Sequence, residues 1–437
     1  MGIEVLKELE AVHCLCGKEH SFTSDVVLGK GAIRQLPEVL AQLGVKRPYV
    51  VADQNTWQAA GQTALDLLNA AGITVQYYVF CKDPLEPDET NTGLAFMHYP
   101  ESCDVVIAVG SGVINDICKI VAAVSGKPYV IVATAPSMDG YASATSSMAV
   151  DGLKRSLNSK CADVIIGDTD ILCNAPIKTM LSGLGDMLAK YVSICEWRIA
   201  ALVAGDYYCE NIAALVRTAL KRCVDNADGL LARDPAAVEA VFEGLVISGV
   251  AMNYAGVSRP ASGVEHYFSH IWDMRGLSFD LPVETHGIQC AVGTLIAAKL
   301  YEKIVKLTPD KAKALAYVQS FDLPAWHETL RSFLGKSADA MIALEEKERK
   351  YDLQKHSCRL EIILNNWDTI LQIIREELPP AETLERLMDK LGMPKTLPEI
   401  GVDADLLEMT FKSTKDIRNK YVLSHLCWDL GIIDEIL

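Results

Sequence analysis

The stretch VIAVGSGVINDICK, residues 106–119, passes from an unbroken apolar run into a helix-length segment across Gly110, Ser111 and Gly112. A short apolar run closed by glycine reads as a buried strand, and the residues after Gly112 read as a helix with Asn115 and Asp116 near its first turn. Glycines at such a strand-to-helix turn let the backbone approach a pyrophosphate, whose charge meets free N–H groups and the positive end of the helix. The third glycine of G-x-G-x-x-G is missing, so an ordinary tight turn accounts for this stretch equally well.

The same alternation extends to both sides. RPYVVAD (47–53) is a strand, TWQAAGQTALDLLNAAG (56–72) a helix stopped by Gly72, and TVQYYVF (74–80) a strand. KPYVIVATAP (127–136) and ADVIIGDTDIL (162–172) continue the series. Parallel strands need crossover connections, so this order predicts an α/β domain built on a parallel, Rossmann-like sheet over residues 1–175. Beyond Pro176 the apolar residues recur at helical spacing for many turns, as in residues 179–205, 236–256 and 287–307. Residues 176–437 are therefore expected to form an all-α domain. The charged run LEEKERKYDLQKHS (344–357) reads as a solvated helix or connector.

Bulk properties agree with two domains, since 437 residues exceed the roughly 250–300 at which single cores stop growing. With 41 basic and 57 acidic residues the net charge is -16, which opposes nonspecific binding to nucleic acid or anionic lipid. Any anionic substrate must be captured by local groups. The N-terminus has no basic stretch followed by an apolar core, and no window approaches the about 18 apolar residues of a membrane span. Thirteen cysteines scattered among apolar positions fit reduced, mostly buried thiols, and cytoplasm is the expected location. In HCLCGKEH, His13, Cys14, Cys16 and His20 resemble a metal cluster, yet C-x-C with one nearby histidine falls short of usual zinc spacing. A surface hairpin turning at Gly17 is the simpler reading.

Asp53 ends an early strand, where a carboxylate can accept bonds from ribose hydroxyls and repel a 2'-phosphate, which favours NAD over NADP; capping the next helix is the alternative. TAPSMDGYAS (134–143) supplies hydroxyls just after a strand, where open α/β sheets bind ligands. Asp186 sits in an apolar helix, and a buried carboxylate is costly unless paired or bound to a cation. In SRPASGVEHYFSH (258–270), His266 and His270 share a helix face. Asp186, His266 and His286 are separated by 80 and 20 residues, distances that only a fold can close.

Taken in order, VGSGVINDICK, TAPSMDGYAS, GLGDMLAKY, SRPASGVEHYFSH and the HG at 286–287 resemble the sn-glycerol-1-phosphate dehydrogenases of the iron-containing alcohol dehydrogenase superfamily, the bacterial AraM-type branch above all. The resemblance spans roughly residues 22–330. It implies that Gly110, Ser111, Gly112, Val113 and Ile114 form the dinucleotide loop, and that Thr134, Ala135, Pro136, Ser137 and Ser143 lie along NAD(H). It implies Asp186, His266 and His286 as ligands of one catalytic divalent metal (zinc, nickel or iron), with Asp186, Asp139 and His270 also touching substrate. Arg259 is the candidate for the substrate phosphate, with anchoring of its own loop as an equal alternative. Val113 stands where relatives often carry a polar residue, and the interval between His266 and His286 is slightly long. The implied reaction interconverts dihydroxyacetone phosphate and sn-glycerol 1-phosphate in a homodimer or larger homo-oligomer, without nucleic acid or membrane insertion. Glycerol dehydrogenase, a dehydroquinate synthase-like lyase and a noncatalytic binding protein are the rival readings.

Overall fold

The computed structural model describes residues 14–151 and 153–437, so His13 of the N-terminal cluster lies outside the described residues. The strands are β1 (Asp25–Gly29), β2 (Pro48–Asp53), β3 (Gln76–Phe80), β4 (Val105–Gly110), β5 (Tyr129–Ala133), β6 (Thr145–Val150), β7 (Leu153–Asn158) and β8 (Val164–Asp168). Six of them form one sheet in the order β1-β8-β5-β4-β2-β3, with every pair parallel, and β6 and β7 form a separate antiparallel hairpin. The all-apolar character of β4 and β5 follows from burial on both faces, as parallel sheets require. Between the strands run α1 (Leu36–Gln42), α2 (Gln62–Ala70), α3 (Glu89–Met97) and α4 (Gly112–Ser125). Val50, Ala52, Ile107, Val109, Val130 and Val132 pack with Leu36 and Leu40 of α1 and Leu68 of α2. The turn after α4 is made by Gly126, whose φ of 65° lies in the left-handed region.

After β8 the described residues contain helices and no strand: α5 (Ile177–Leu188), α6 (Lys190–Ala204), α7 (Glu210–Asn226), α8 (Pro235–Ala255), α9 (Val264–Phe279), α10 (His286–Ile304) and further helices down to Leu423–Asp429. The division into units does not follow one cut near residue 175. The sheet unit runs on to Met187 and takes in Ala214–Gly256, and the helical unit comprises Leu188–Ala213 and Val257–Leu437. The reason is α8, which is buried along most of its length and packs in the sheet unit, where Phe242 meets Tyr141 with ring centroids 5.4 Å apart. Contrary to the sequence reading, α8 is long and apolar enough to cross a membrane. With 78% of its most apolar window buried inside the protein, it has the character of a core helix.

The charged run at 344–357 is only partly solvated. Lys350 donates to the carbonyls of Lys415, Asp416 and Arg418, and burial pulls its ammonium down to about 8. Tyr351 donates to Asp416.

Asp168, at the end of β8 and 2% exposed, accepts backbone N–H bonds from Gly31 (3.2 Å), Ile33 (3.0 Å) and Asp170 (3.0 Å). One carboxylate thus closes the turn after β1 onto the neighbouring strand. Asp168→Ala is expected to lower stability by about 2–4 kcal/mol, because it strands buried N–H donors. Asp168→Asn should lose less. Denaturant midpoints of the two variants test this, and an unchanged midpoint for Asp168→Ala would mean that the donors find other acceptors.

Candidate functional site

In the sheet unit the candidate residues gather at the C-terminal ends of β2, β4 and β5. Gly110 closes β4, and a Cβ there would sit 2.6 Å from the Cβ of Ile114, so the first turn of α4 can lie this close only against glycine. Ile114 is buried and points at that glycine, whereas Ser111, Gly112 and Val113 are partly exposed. The next loop is tied to this one. The Thr134 amide donates to the Gly110 carbonyl (3.0 Å), the Ser111 and Ser137 hydroxyls are hydrogen-bonded, and the Tyr141 hydroxyl donates to the Ala135 carbonyl (2.6 Å). Ala135 and Pro136 are buried within it. Asp53 caps the helical turn that follows β2: its Oδ1 accepts from the Thr56 amide (2.8 Å), and the Asp53 amide donates to the Thr56 hydroxyl (3.0 Å).

Asp139 and Asp186 are brought together. Asp186 is fully buried on α5, and its Oδ2 accepts from the Asp139 amide (2.9 Å). The Asp139 carboxylate in turn accepts from Ser248 of α8 (2.8 Å), and Ser182 of α5 donates to the Ser137 carbonyl (3.0 Å). Lys119 escaped the sequence reading. It is fully buried on α4 and donates to the Gly140 carbonyl, the Ser143 hydroxyl (3.1 Å) and the Thr145 carbonyl (3.1 Å). Burial draws its ammonium below the ordinary lysine range, against the pull of Asp116. Ser143, expected along the cofactor, is 6% exposed and engaged by this lysine.

In the helical unit three imidazoles converge. The His266 and His286 ring centroids are 5.1 Å apart, and His270 lies 6.1 Å from His286. The close approach depends on Gly293 of α10, where a Cβ would stand 2.7 Å from the Glu265 carbonyl oxygen of α9. Hydrogen bonding fixes the tautomers. Glu265 Oε1 lies 2.8 Å from His266 Nδ1, so that nitrogen carries the proton. The Ser269 hydroxyl spends its hydrogen on Gln289 Oε1 (2.5 Å) and therefore accepts from His286 Nδ1 (3.0 Å). In each ring Nε2 is then the nitrogen that carries the lone pair, the atom a metal takes when a neighbour holds Nδ1.

Cys290, one turn beyond His286, was also missed, although H-x-x-x-C is i,i+4 spacing. Its Sγ lies 3.6 Å from His286 Nε2, and the His266, His286 and Cys290 donor atoms all lie within 4.8 Å of one another. Burial pushes this thiol up, but His266 and His286 more than reverse that and hold it below its ordinary range. Arg259 is 4% exposed, paired with Asp206 and donating to the Tyr421 carbonyl (2.8 Å), an arrangement that anchors its loop. The loop carbonyls at Pro260 and Ala261 are held by Ser193 (3.0 Å) and Lys190 (3.1 Å).

The family model for iron-containing alcohol dehydrogenases matches residues 27–176. Solved structures share this fold: glycerol dehydrogenase from Schizosaccharomyces pombe superimposes with a TM-score of 0.62 at 20% identity, covering 96% of this chain and 91% of its own. Among curated proteins, glycerol-1-phosphate dehydrogenase [NAD(P)+] of Bacillus licheniformis is 32% identical over 97% of this chain and 94% of its own length. The enzyme of that name from Halalkalibacterium halodurans is 33% identical over 68% of this chain and 76% of its own. The chain belongs to the glycerol-1-phosphate dehydrogenase family.

Glu196 of α6 supports the histidine-bearing helix from outside the sequence motifs. It is 2% exposed and accepts from the amides of Val264 and Leu423 (both 2.8 Å). Burial, and then the charge of Glu265, push its carboxyl up to about 8. Below the unfolded value of about 4.3 both states are protonated and the contribution is complete; as pH rises toward 8 only the unfolded chain releases the proton, so stability falls. Metal-stripped protein should thus lose on the order of 1 kcal/mol per pH unit between about pH 5 and 8 from this group. Glu196→Gln should flatten that slope. Denaturant midpoints at several pH values check it, and equal slopes for the two proteins would sink the assignment.

Proposed function

We propose that this chain is a metal-dependent, NAD(H)-linked dehydrogenase interconverting dihydroxyacetone phosphate and sn-glycerol 1-phosphate. The observation that carries the reading is the 32% identity to a curated glycerol-1-phosphate dehydrogenase over almost the whole of both chains. NADH bound at the sheet unit would supply the hydride, and a divalent cation would supply Lewis acidity toward the C2 carbonyl. His266 and His286, each oriented through Nδ1, offer Nε2 to that cation, and the family resemblance implies Asp186 as a further ligand. Nitrogen and carboxylate donors suit zinc, nickel or iron.

The remaining residues bind and orient. Gly110, Ser111, Gly112 and Val113 meet the pyrophosphate at the start of α4, while Ile114 acts from beneath by packing on Gly110. Asp53 stands at the end of β2, the strand paired with β4, and its carboxylate favours an unphosphorylated ribose, hence NAD. Thr134, Ala135, Pro136 and Ser137 shape the floor of the cofactor site, with Ser143 holding their loop from behind. Asp139 and His270 orient the substrate. A homo-oligomer in the cytoplasm is the expected setting, and the thirteen cysteines, none of them disulfide-bonded, fit a reducing compartment.

Metal-reconstituted protein mixed with NADH and dihydroxyacetone phosphate should consume NADH and yield a product that a glycerol-3-phosphate-specific dehydrogenase refuses. His266→Ala should cut turnover by roughly 100-fold or more. Oxidation of glycerol without activity on the phosphorylated triose would move the assignment to glycerol dehydrogenase. Full activity in His266→Ala would remove the metal site from the mechanism.

A further inference from the structure

The N-terminal segment of the sheet unit is arranged against the hydrophobic effect. In Cys14-Leu15-Cys16-Gly17 the leucine is fully exposed, while Cys14 and His20 are each 5% exposed and Cys16 is partly buried. Burial alone would turn the leucine inward and leave the imidazole in water. The segment is a tight turn, with the Gly17 amide donating to the Cys14 carbonyl (3.0 Å) and Gly17 at φ 78°; no strand follows until β1, so the expected hairpin is absent among the described residues. What the turn achieves is convergence of donors. Cys16 Sγ lies 3.4 Å from His20 Nε2, and the donor atoms of Cys14, Cys16 and His20 lie within 4.8 Å of one another.

We propose that Cys14, Cys16 and His20 bind a thiophilic divalent cation of the zinc type, at a structural site separate from the one assigned to Asp186, His266 and His286. Two thiolates and one imidazole are a preferred donor set for zinc, and a fourth donor completes the tetrahedron. Both cysteines bind as thiolates, so loading releases two protons. The spacing differs from C-x2-C because the single intervening residue, Leu15, is thrown outward by the turn.

The site has a mechanical role. Lys18 donates to the Ala255 carbonyl (3.0 Å) at the end of α8, and the His20 ring lies 5.4 Å from that of Tyr254. The cation therefore clips this turn into one shape, and so holds Lys18 and His20 in place against the end of α8. On the same helix, Asn253 donates to the Ala142 carbonyl (2.5 Å) and Ser248 to Asp139 (2.8 Å), so the clip braces the helix that holds the Asp139 loop.

The test is metal content of the full chain loaded with zinc and desalted. Cys14→Ser/Cys16→Ser should bind one equivalent fewer than wild type, while His266→Ala/His286→Ala keeps that equivalent. With cobalt(II), the thiolate charge-transfer band in the near ultraviolet should vanish in the cysteine variant and persist in the histidine variant. Should the double cysteine variant fail to fold, Cys16→Ser gives the same comparison, and His20→Cys, which keeps a donor, should retain the metal. Equal zinc content in wild type and a folded cysteine variant, or a cobalt band unchanged between them, overturns the proposal. Because the histidine variant is read separately, failure here is distinguishable from failure of the catalytic assignment.

Discussion

Glu196 and Glu265 are buried around the first residue of α9, and this crowding sets much of the helical unit. A Cβ on Gly263 would stand 2.5 Å from Glu196 Oε2 and 2.7 Å from Glu265 Oε2, so glycine is required between them. Two carboxylates held so near would repel if both were charged; the raised Glu196 carboxyl is the relief, since a neutral acid can remain where an anion is expelled. The arrangement persists because α9 begins there. Its first amides need acceptors, and its positive end favours the remaining negative charge. Glu265 answers that need through the Gly263 amide (2.6 Å) and also reaches His266, so one side chain caps the helix and sets an imidazole tautomer.

In the sheet unit the corresponding work is done by a network rather than a pair. The loop after β5 has its carbonyls and amides engaged by Ser182, Asp186, Lys119 and Asn253, side chains from three different helices. A loop at the end of a parallel sheet has lost its ladder partners, and each buried backbone group must find another. That demand makes the loop rigid. It also explains how a lysine comes to be fully buried on α4: it donates to three acceptors of this loop, sharing the Gly140 carbonyl with Asn115, at the cost of a depressed ammonium.

The parallel sheet and the change to helix beyond it were legible because period and length are local properties, carried by runs such as residues 105–110 and 129–133. The unit boundary was not, because the return of α8 to the sheet unit is a packing decision that its own composition leaves open. Among candidate site residues, those lying in ordered motifs could be singled out: Gly110, Asp139, Asp186, His266 and His286. Glu196, Lys119, Ser248 and Ser269 act across tens of residues on partners that only folding brings near. Cys290 is the instructive omission. Its spacing from His286 was visible, but a cysteine in an apolar helix is ordinarily a small core residue, and only the neighbouring imidazoles distinguish it.

A net charge of -16 looks ill suited to an anionic dinucleotide and a phosphorylated substrate. At physiological ionic strength, however, screening acts within about 8 Å, so the sum over the surface matters less than the groups lining a site. The start of α4 is arranged accordingly. Its first turn carries no acidic residue, and Asp116, the next carboxylate along, is occupied by the Ser147 amide (3.2 Å) and by Lys119 at 3.9 Å. The amides at Gly112 and Val113 therefore keep the positive character of a helix start. With the first turn free of carboxylates and the next one along the helix set against a buried lysine, an acidic protein keeps at this helix start the partial positive charge that an anion can meet.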